Sequence, residues 1–225
     1  MGIKDLAITS EGDKFDNKKF KRAEKRHIRR LNRKMSRRWG WSNIKFRNAH
    51  KADTSIPVSK GYESSKLKHA KLERKIARRR DNWNHKVTSE IVRKASFIGI
   101  ESLNVKGMMA NRHLAYSASD AAMYDVLSKL KYKALNHDIP IVAIGRWEPS
   151  SQTCHVCGYV NKAVKNLSVR EWVCPNCGTR HDRDVNAGIN IRNKAMQMYA
   201  NDSDVAEKKA VKKETKRKTK KSNKD

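Results

Sequence analysis

Two Cys-x-x-Cys pairs, Cys154 with Cys157 and Cys174 with Cys177, constrain this chain more than any other stretch. Sixteen residues (158–173) separate them, and together they use all 4 cysteines. Tetrahedral Zn2+ takes four ligands, and each short turn presents two thiolates from one small knuckle, so the spacing predicts a zinc ribbon. Gly158 and Gly178 follow the second cysteine of each pair, where a glycine lets the backbone turn tightly beneath the metal. The competing reading, two disulfides in a secreted module, requires an oxidising compartment. Met1 leads straight into Gly-Ile-Lys-Asp-Leu with no signal peptide, so a cytoplasmic, nucleoid-associated setting is expected, where thiolates go to metal.

Charge narrows the partner. Over 225 residues, 52 Lys+Arg stand against 23 Asp+Glu, a formal net charge of +29. That excess exceeds what solubility needs and points to a polyanion, nucleic acid first. The longest apolar runs, around 97–100 and 139–145, are too short to span a bilayer, so no membrane partner is expected.

Along the chain, residues 2–15 read as two short strands around the turn Ser10-Glu-Gly-Asp13. Phe20, Ala23, His27, Leu31, Met35 and Trp39 recur at helical spacing, with His27 read as a packed histidine rather than a ligand and Gly40 as the stop. The stretch 41–60 is basic and irregular. A second helix over about 65–95 carries the stripe Leu72, Ile76, Trp83, Val87 and Ile91, which predicts an antiparallel helical hairpin. Its outer ladder, Arg74, Lys75, Arg78, Arg79 and Arg80, carries so little acid that contact with phosphates is expected.

Phe97-Ile-Gly-Ile-Glu101 then reads as a buried strand ending in a carboxylate, and 105–116 as a loop. Ser117 and Ser119 are cap candidates for a helix over about 120–136, and Ile141-Val-Ala-Ile-Gly145 is a second buried strand. Strand, helix, strand argues for an α/β layer with a partly parallel sheet. Glu101 at a strand end and Asp184 at a helix start are placed as divalent-metal phosphodiester chemistry requires, with hard oxygen ligands holding Mg2+. Asp184 is equally suited to stabilising a helix N-terminus, and that alternative stays open. On position alone Asp5 is the third acid. Beyond 201 the chain is Lys-rich and nearly free of apolar residues, so that tail reads as disordered.

Three segments carry a family resemblance: Ser150-Ser-Gln-Thr-Cys-His-Val-Cys-Gly-Tyr, Leu167-Ser-Val-Arg-Glu-Trp-Val-Cys-Pro-Asn-Cys-Gly-Thr and His181-Asp-Arg-Asp-Val-Asn-Ala-Gly-Ile-Asn-Ile. They resemble the C-terminal signature of the TnpB (OrfB) proteins of insertion sequences, which are related to type V CRISPR effectors. Ile100-Glu-Ser-Leu-Asn-Val-Lys-Gly-Met-Met and Gly2-Ile-Lys-Asp-Leu-Ala-Ile-Thr-Ser-Glu-Gly also match, so the resemblance covers residues 1–200.

The resemblance implies an RNase H-like (RuvC) α/β fold with a basic helical-hairpin insertion and an inserted zinc ribbon. It implies RNA-guided DNA cleavage, with DNA and guide RNA as partners and Mg2+ held by three acids. Zinc ligands would be Cys154, Cys157, Cys174 and Cys177; Glu101 and Asp184 would be the second and third catalytic acids. The family's first acid would fall just before Met1, so the expectation is an N-terminally incomplete, catalytically impaired fragment, with Asp5 not catalytic. A non-cleaving zinc-ribbon DNA- or RNA-binding protein is the alternative. A ribosomal or transcription protein leaves Glu101 and the Asp184 motif without a role. Expected boundaries are 1–149 for the RuvC-like core with its insertion at about 16–95, and 150–180 for the ribbon. A last RuvC segment and helix follow at 181–200, and the basic tail at 201–225.

Overall fold

The computed structural model describes residues 2, 4–49, 59–166 and 168–222, excluding the side chains of 40–49 and 203–222. Strands β1 (Asp5–Ile8) and β2 (Lys14–Asp16) form the expected antiparallel hairpin, with an irregularity between Asp5 and Ala7. Helix α1 (Phe20–Ala23) follows, then the long pair α2 (Lys25–Ala49) and α3 (Lys60–Lys94). Next come β3 (Ile98–Glu101), α4 (Val105–Ala110), α5 (Ala115–Ala121), α6 (Met123–Asn136) and β4 (Ile141–Ile144). A 3-10 turn (Lys162–Lys165), the hairpin β5 (Glu171–Val173) and β6 (Arg180–Asp182), and α7 (Arg183–Ser222) complete the chain.

The α/β class holds, and β3 and β4 pair in parallel as expected, Glu101 opposite Ile144. Strand content is distributed over three two-stranded pairs rather than one ladder among the described residues. What unites the first two pairs is a common core. Leu6, Ala7 and Phe15 from the hairpin meet Ile98 of β3, Val87 and Val92 of α3, and Val126, Leu130 and Ala134 of α6. Burying such side chains contributes roughly 1.5–3 kcal/mol each, which makes this cluster the main source of stability.

Side chains alternate along β3, so Ile98 and Ile100 face that core while Gly99 faces α7. A Cβ at Gly99 would lie 2.9 Å from Ala195 Cβ and 3.1 Å from Ile191 O. Glycine is therefore what lets α7 close onto the strand.

Several sequence expectations are corrected. His27 is exposed, 3.8 Å from Glu24, and the hairpin packs through Leu31 with Leu72 and Ile76, flanked by Phe20 and Ile28. Periodicity located the helix but not the edge of its buried face. Helix α2 continues through Gly40 to Ala49, because one glycine costs only about 1 kcal/mol in a long helix. The rest of the expected irregular connection, 50–58, lies outside the described residues.

The expected 105–116 loop is mostly helix. Asn104 caps α4 by accepting from Gly107 N at 3.0 Å, so Gly107 sits in a first turn rather than a break. Ser117 and Ser119 lie inside α5, and the break before α6 is Ala122 in the left-handed region at φ 48°. Asp120, buried in α5, instead caps α1 from a distance, accepting from Lys21 N at 2.9 Å and Arg22 N at 3.1 Å. Helix α7 runs past the expected end near Tyr199 to Ser222, across the stretch expected to be disordered. Its Ala, Glu and Lys content favours helix strongly enough to extend it.

Candidate metal centre

Each Cys-x-x-Cys turn closes in the same way. Gly158 N donates to Cys154 O and Gly178 N to Cys174 O, both at 2.9 Å, with Gly158 at φ 76° and Gly178 at φ 71°. Cys154 N then donates to Tyr159 O at 2.8 Å, and Cys174 N to Thr179 O at 2.9 Å. Two equivalent knuckles result, with their four sulfurs within 4.8 Å of one another. Across the knuckles Cys154 Sγ lies 3.7 Å from Cys177 Sγ, and Cys157 Sγ lies 3.6 Å from Cys174 Sγ. A disulfide needs about 2.05 Å, so the disulfide reading fails. Four sulfurs at about 2.3 Å from a tetrahedral Zn2+ stand about 3.8 Å apart, so the donor set fits zinc.

The thiols are not equivalent. Burial pushes Cys154 up to about 11, whereas the Asn176 side chain and backbone N–H donors hold exposed Cys157 down to about 6. Cys177 is also lowered, chiefly by the Thr179 side chain. Beside buried Cys154 stands His181, itself 3% exposed, with Nε2 3.1 Å from the sulfur. Burial, and secondly the charge of His155, lower its pKa and keep the ring neutral. With the proton on Nε2, the ring would donate to the Cys154 sulfur once a metal holds it as a thiolate. Trp172 packs against His181 at 4.6 Å between centroids, and His155 at 4.9 Å.

The ribbon is fastened to α7 by two asparagines four residues apart, which therefore share a helix face. Asn186, 1% exposed, accepts from His155 N at 3.1 Å and donates to Thr153 O at 2.7 Å. Asn190 donates to Thr153 O at 2.7 Å and to Ser150 O at 2.8 Å. Gly188 between them approaches the β1–β2 turn, where a Cβ would lie 3.2 Å from Ser10 N. The Asp-Val-Asn-Ala-Gly-Ile-Asn stretch thus binds the ribbon through its asparagines and the hairpin turn through its glycine. His181, Asn186 and Asn190 were absent from the sequence-based site, although all three lie in the 181–191 stretch that carries the family resemblance, and the four-residue asparagine spacing marked a shared helix face.

The carboxylates are arranged differently. Asp182, not Asp184, caps α7: its Oδ1 accepts from Asp184 N at 2.9 Å and Val185 N at 3.1 Å, while Oδ2 accepts from Lys14 Nζ at 2.6 Å. Asp184 in the first turn accepts instead from Arg170 of the ribbon at 3.0 Å. The Asp182 bond holds the Lys14 ammonium above its usual pKa, and the charges of Asp5 and Asp184 add to it. Asp184 is therefore bonded to Arg170 and within reach of the Lys14 charge. Glu101 is half-buried at the end of β3, and its carboxylate has no hydrogen-bond or ion-pair partner among the described residues. Among those residues the sole ligand group of three or more within bonding reach is the cysteine set, so Glu101, Asp184 and Asp5 are not gathered into one.

Two family models match the chain. Residues 1–112 match OrfB_IS605, described as "Probable transposase", and residues 124–191 match "Cas12f1-like, TNB domain". A Streptomyces pristinaespiralis protein named "Putative RNA-guided DNA endonuclease" is 34% identical over 84% of this chain and 42% of its own length. InsQ of Escherichia coli K12, which carries the same designation, is 26% identical over 84% of this chain and 46% of its own. A Cas12f1–sgRNA–target DNA complex aligns over 85% of this chain and 48% of the Cas12f1 chain at 17% identity and a TM-score of 0.49. The chain thus spans less than half the length of these relatives.

Proposed function

The chain belongs to the OrfB (TnpB) family, and from that membership we propose that it is the nuclease-side portion of an RNA-guided DNA endonuclease of an insertion sequence. In this reading the fold is RNase H-like, with α2 and α3 as a helical insertion and the zinc ribbon as a nucleic-acid-binding module. The supporting observation is the junction at Asp184. A ribbon residue, Arg170, reaches across to this carboxylate at 3.0 Å, so the ribbon and the acid are organised together.

Mg2+ would be held by Glu101 and Asp184, and when bound it supplies charge stabilisation for phosphodiester cleavage. Glu101 offers a free carboxylate for that purpose. Arg170 and Lys14 balance the charge of Asp184 and its neighbours and keep the acid in place. DNA and guide RNA are the proposed partners. Base pairing would read sequence, leaving the protein to hold phosphate backbones with its excess of Lys and Arg. A nucleoid-associated cytoplasmic location accords with this; no helix among the described residues is long and apolar enough to cross a membrane.

The second reading, a protein that binds nucleic acid without cutting it, is favoured by one observation: the acids are not gathered as the cysteines are. One assay separates the two. The chain is incubated with Mg2+, target DNA and a guide transcribed from its own element. Cleavage that disappears in Glu101→Ala and Asp184→Ala supports the nuclease. Guide-dependent binding without cleavage at any Mg2+ concentration supports the binder, and no binding at all sinks both.

A further inference from the structure

Helix α6 has a second face that the fold does not use. Its core face is Met123, Val126, Leu130 and Ala134. On the other side Tyr124 is 74% exposed, Leu135 75% and Tyr132 43%, with half-buried Leu127 among them. A helix apolar on two sides has a second partner to meet.

That face is one wall of a groove of about 720 Å³ that Glu101 also lines. The groove is aromatic and basic together. Tyr124 and Tyr132 line it with Lys106, Lys131 and Arg146, and Glu101 is its one acid. The Tyr132 hydroxyl lies 3.4 Å from His85 Nδ1, which fixes the ring at the groove edge, and Tyr124 has no partner among the described residues. In a duplex the base faces are already stacked on one another, so exposed rings find no open face there without unstacking a step. Unpaired bases offer one, because every base has a face to stack, while Lys and Arg follow the phosphates.

From this juxtaposition we propose that the α6 groove binds a single strand of nucleic acid and leads it to the Glu101 end of β3. The proposal deepens the nuclease reading by naming where an unpaired strand runs, and it rests on that reading only for the role of Glu101. Binding itself needs neither Mg2+ nor a guide.

The test is fluorescence anisotropy with labelled dT12, rU12 and a 12-base-pair duplex, without divalent metal, on the full chain. A base stacked on an aromatic ring contributes about 1–3 kcal/mol, so Tyr124→Ala with Tyr132→Ala should weaken single-strand binding at least tenfold. Duplex binding should change less than twofold, and the Tyr→Phe pair should bind single strands like the parent. The dT12 and rU12 arms show whether the strand is DNA or RNA. Unchanged single-strand affinity in the Ala pair, or equal loss for strand and duplex, overturns the proposal. So does self-association of the parent that the Ala pair abolishes, which would make the face a protein contact. Thermal melting of each variant verifies folding, and cleavage by Glu101→Gln is scored separately. A failed groove is thereby distinguishable from a failed nuclease.

Discussion

Two ligand sets stand side by side in this molecule and are built on opposite principles. The four cysteines come from two short turns of one module, and their sulfurs already lie within 4.8 Å of one another. The acids come from β3 and α7, on either side of that module, and each has a different company: none for Glu101, Arg170 for Asp184. Neutral or half-ionised thiols can converge with little repulsion. Carboxylates are ionised at neutral pH and repel, so they converge only around cations. A soft-ligand site can therefore be complete in the fold by itself, whereas a hard-ligand site is finished by its metal and substrate. Between them runs α7, whose asparagines hold the ribbon and whose first turn carries Asp184.

The largest effect should follow from attacking the cysteine set. Structural zinc in small modules contributes about 10–16 kcal/mol of apparent binding energy at neutral pH, far more than a ribbon whose described core is Cys154, Val164, Trp172 and Cys174 with Val169 beside it can replace. Purified chain should hold one zinc by elemental analysis. Cys174→Ser or a strong chelator should remove it and unfold residues 150–180. Far-UV circular dichroism should fall little, because the core shared by β1, β3, α3 and α6 contains no ribbon residue. Glu101→Ala should leave zinc content untouched. Simultaneous loss of the helical signal on chelation would break the comparison, since the ribbon would then be part of one cooperative unit.

What could be read in advance follows the same division. The zinc ligands were legible because the relevant contacts are a few residues apart. The α2–α3 hairpin was legible through Leu31, Leu72 and Ile76, yet His27 was misplaced, because a stripe at helical spacing does not say which flank turns to solvent. The helices in 105–121 were hidden by Gly107 and by serines that looked like caps; the residue that caps across space, Asp120, sits nearly a hundred positions from the amides it satisfies. Asp184 was found through its helix start, but its partner Arg170 and the cap at Asp182 depend on how β6 delivers the chain to α7. Such contacts leave no periodic trace.

A middle-sized effect should come from the asparagines that join the two regions. Asn186→Ala leaves Thr153 O with one donor fewer and strands the half-buried His155 N, a loss of up to about 1–3 kcal/mol for each group left unsatisfied. Asn190→Ala should cost less, because Thr153 O retains Asn186 as a donor. Chemical denaturation of both variants, with zinc release followed in parallel, sharpens the comparison. If Asn186→Ala releases zinc at a lower denaturant concentration than the parent, α7 supports the ribbon. If the Asn190 change costs more, the connection runs through Ser150 instead.

The smallest effect concerns the corner where the acids begin, and it is a question of pH. Burial tends to raise the Asp182 pKa, but the bond from Lys14 and the amides of Val185 and Asp184 outweigh it, and the net shift is downward. A carboxylate whose folded pKa is depressed contributes stability above its unfolded value of about 3.9, and that stability is lost as pH falls through the folded value. Asp182→Asn keeps an oxygen able to cap α7 and removes the charge facing Lys14. Both partners are substantially exposed, so at pH 7 the change should cost no more than about 1 kcal/mol. Below pH 4 the gap between variant and parent should begin to narrow, and it closes as pH falls through the depressed folded value of Asp182. Lys14→Met should give the same pattern by removing the other half of the pair. Urea midpoints at pH 7 and pH 3 for all three proteins decide it. A gap that persists undiminished at pH 3 would mean the Asp182 carboxylate acts as a neutral cap alone, and the charges around Asp184 would then be balanced by Arg170 without help from the hairpin.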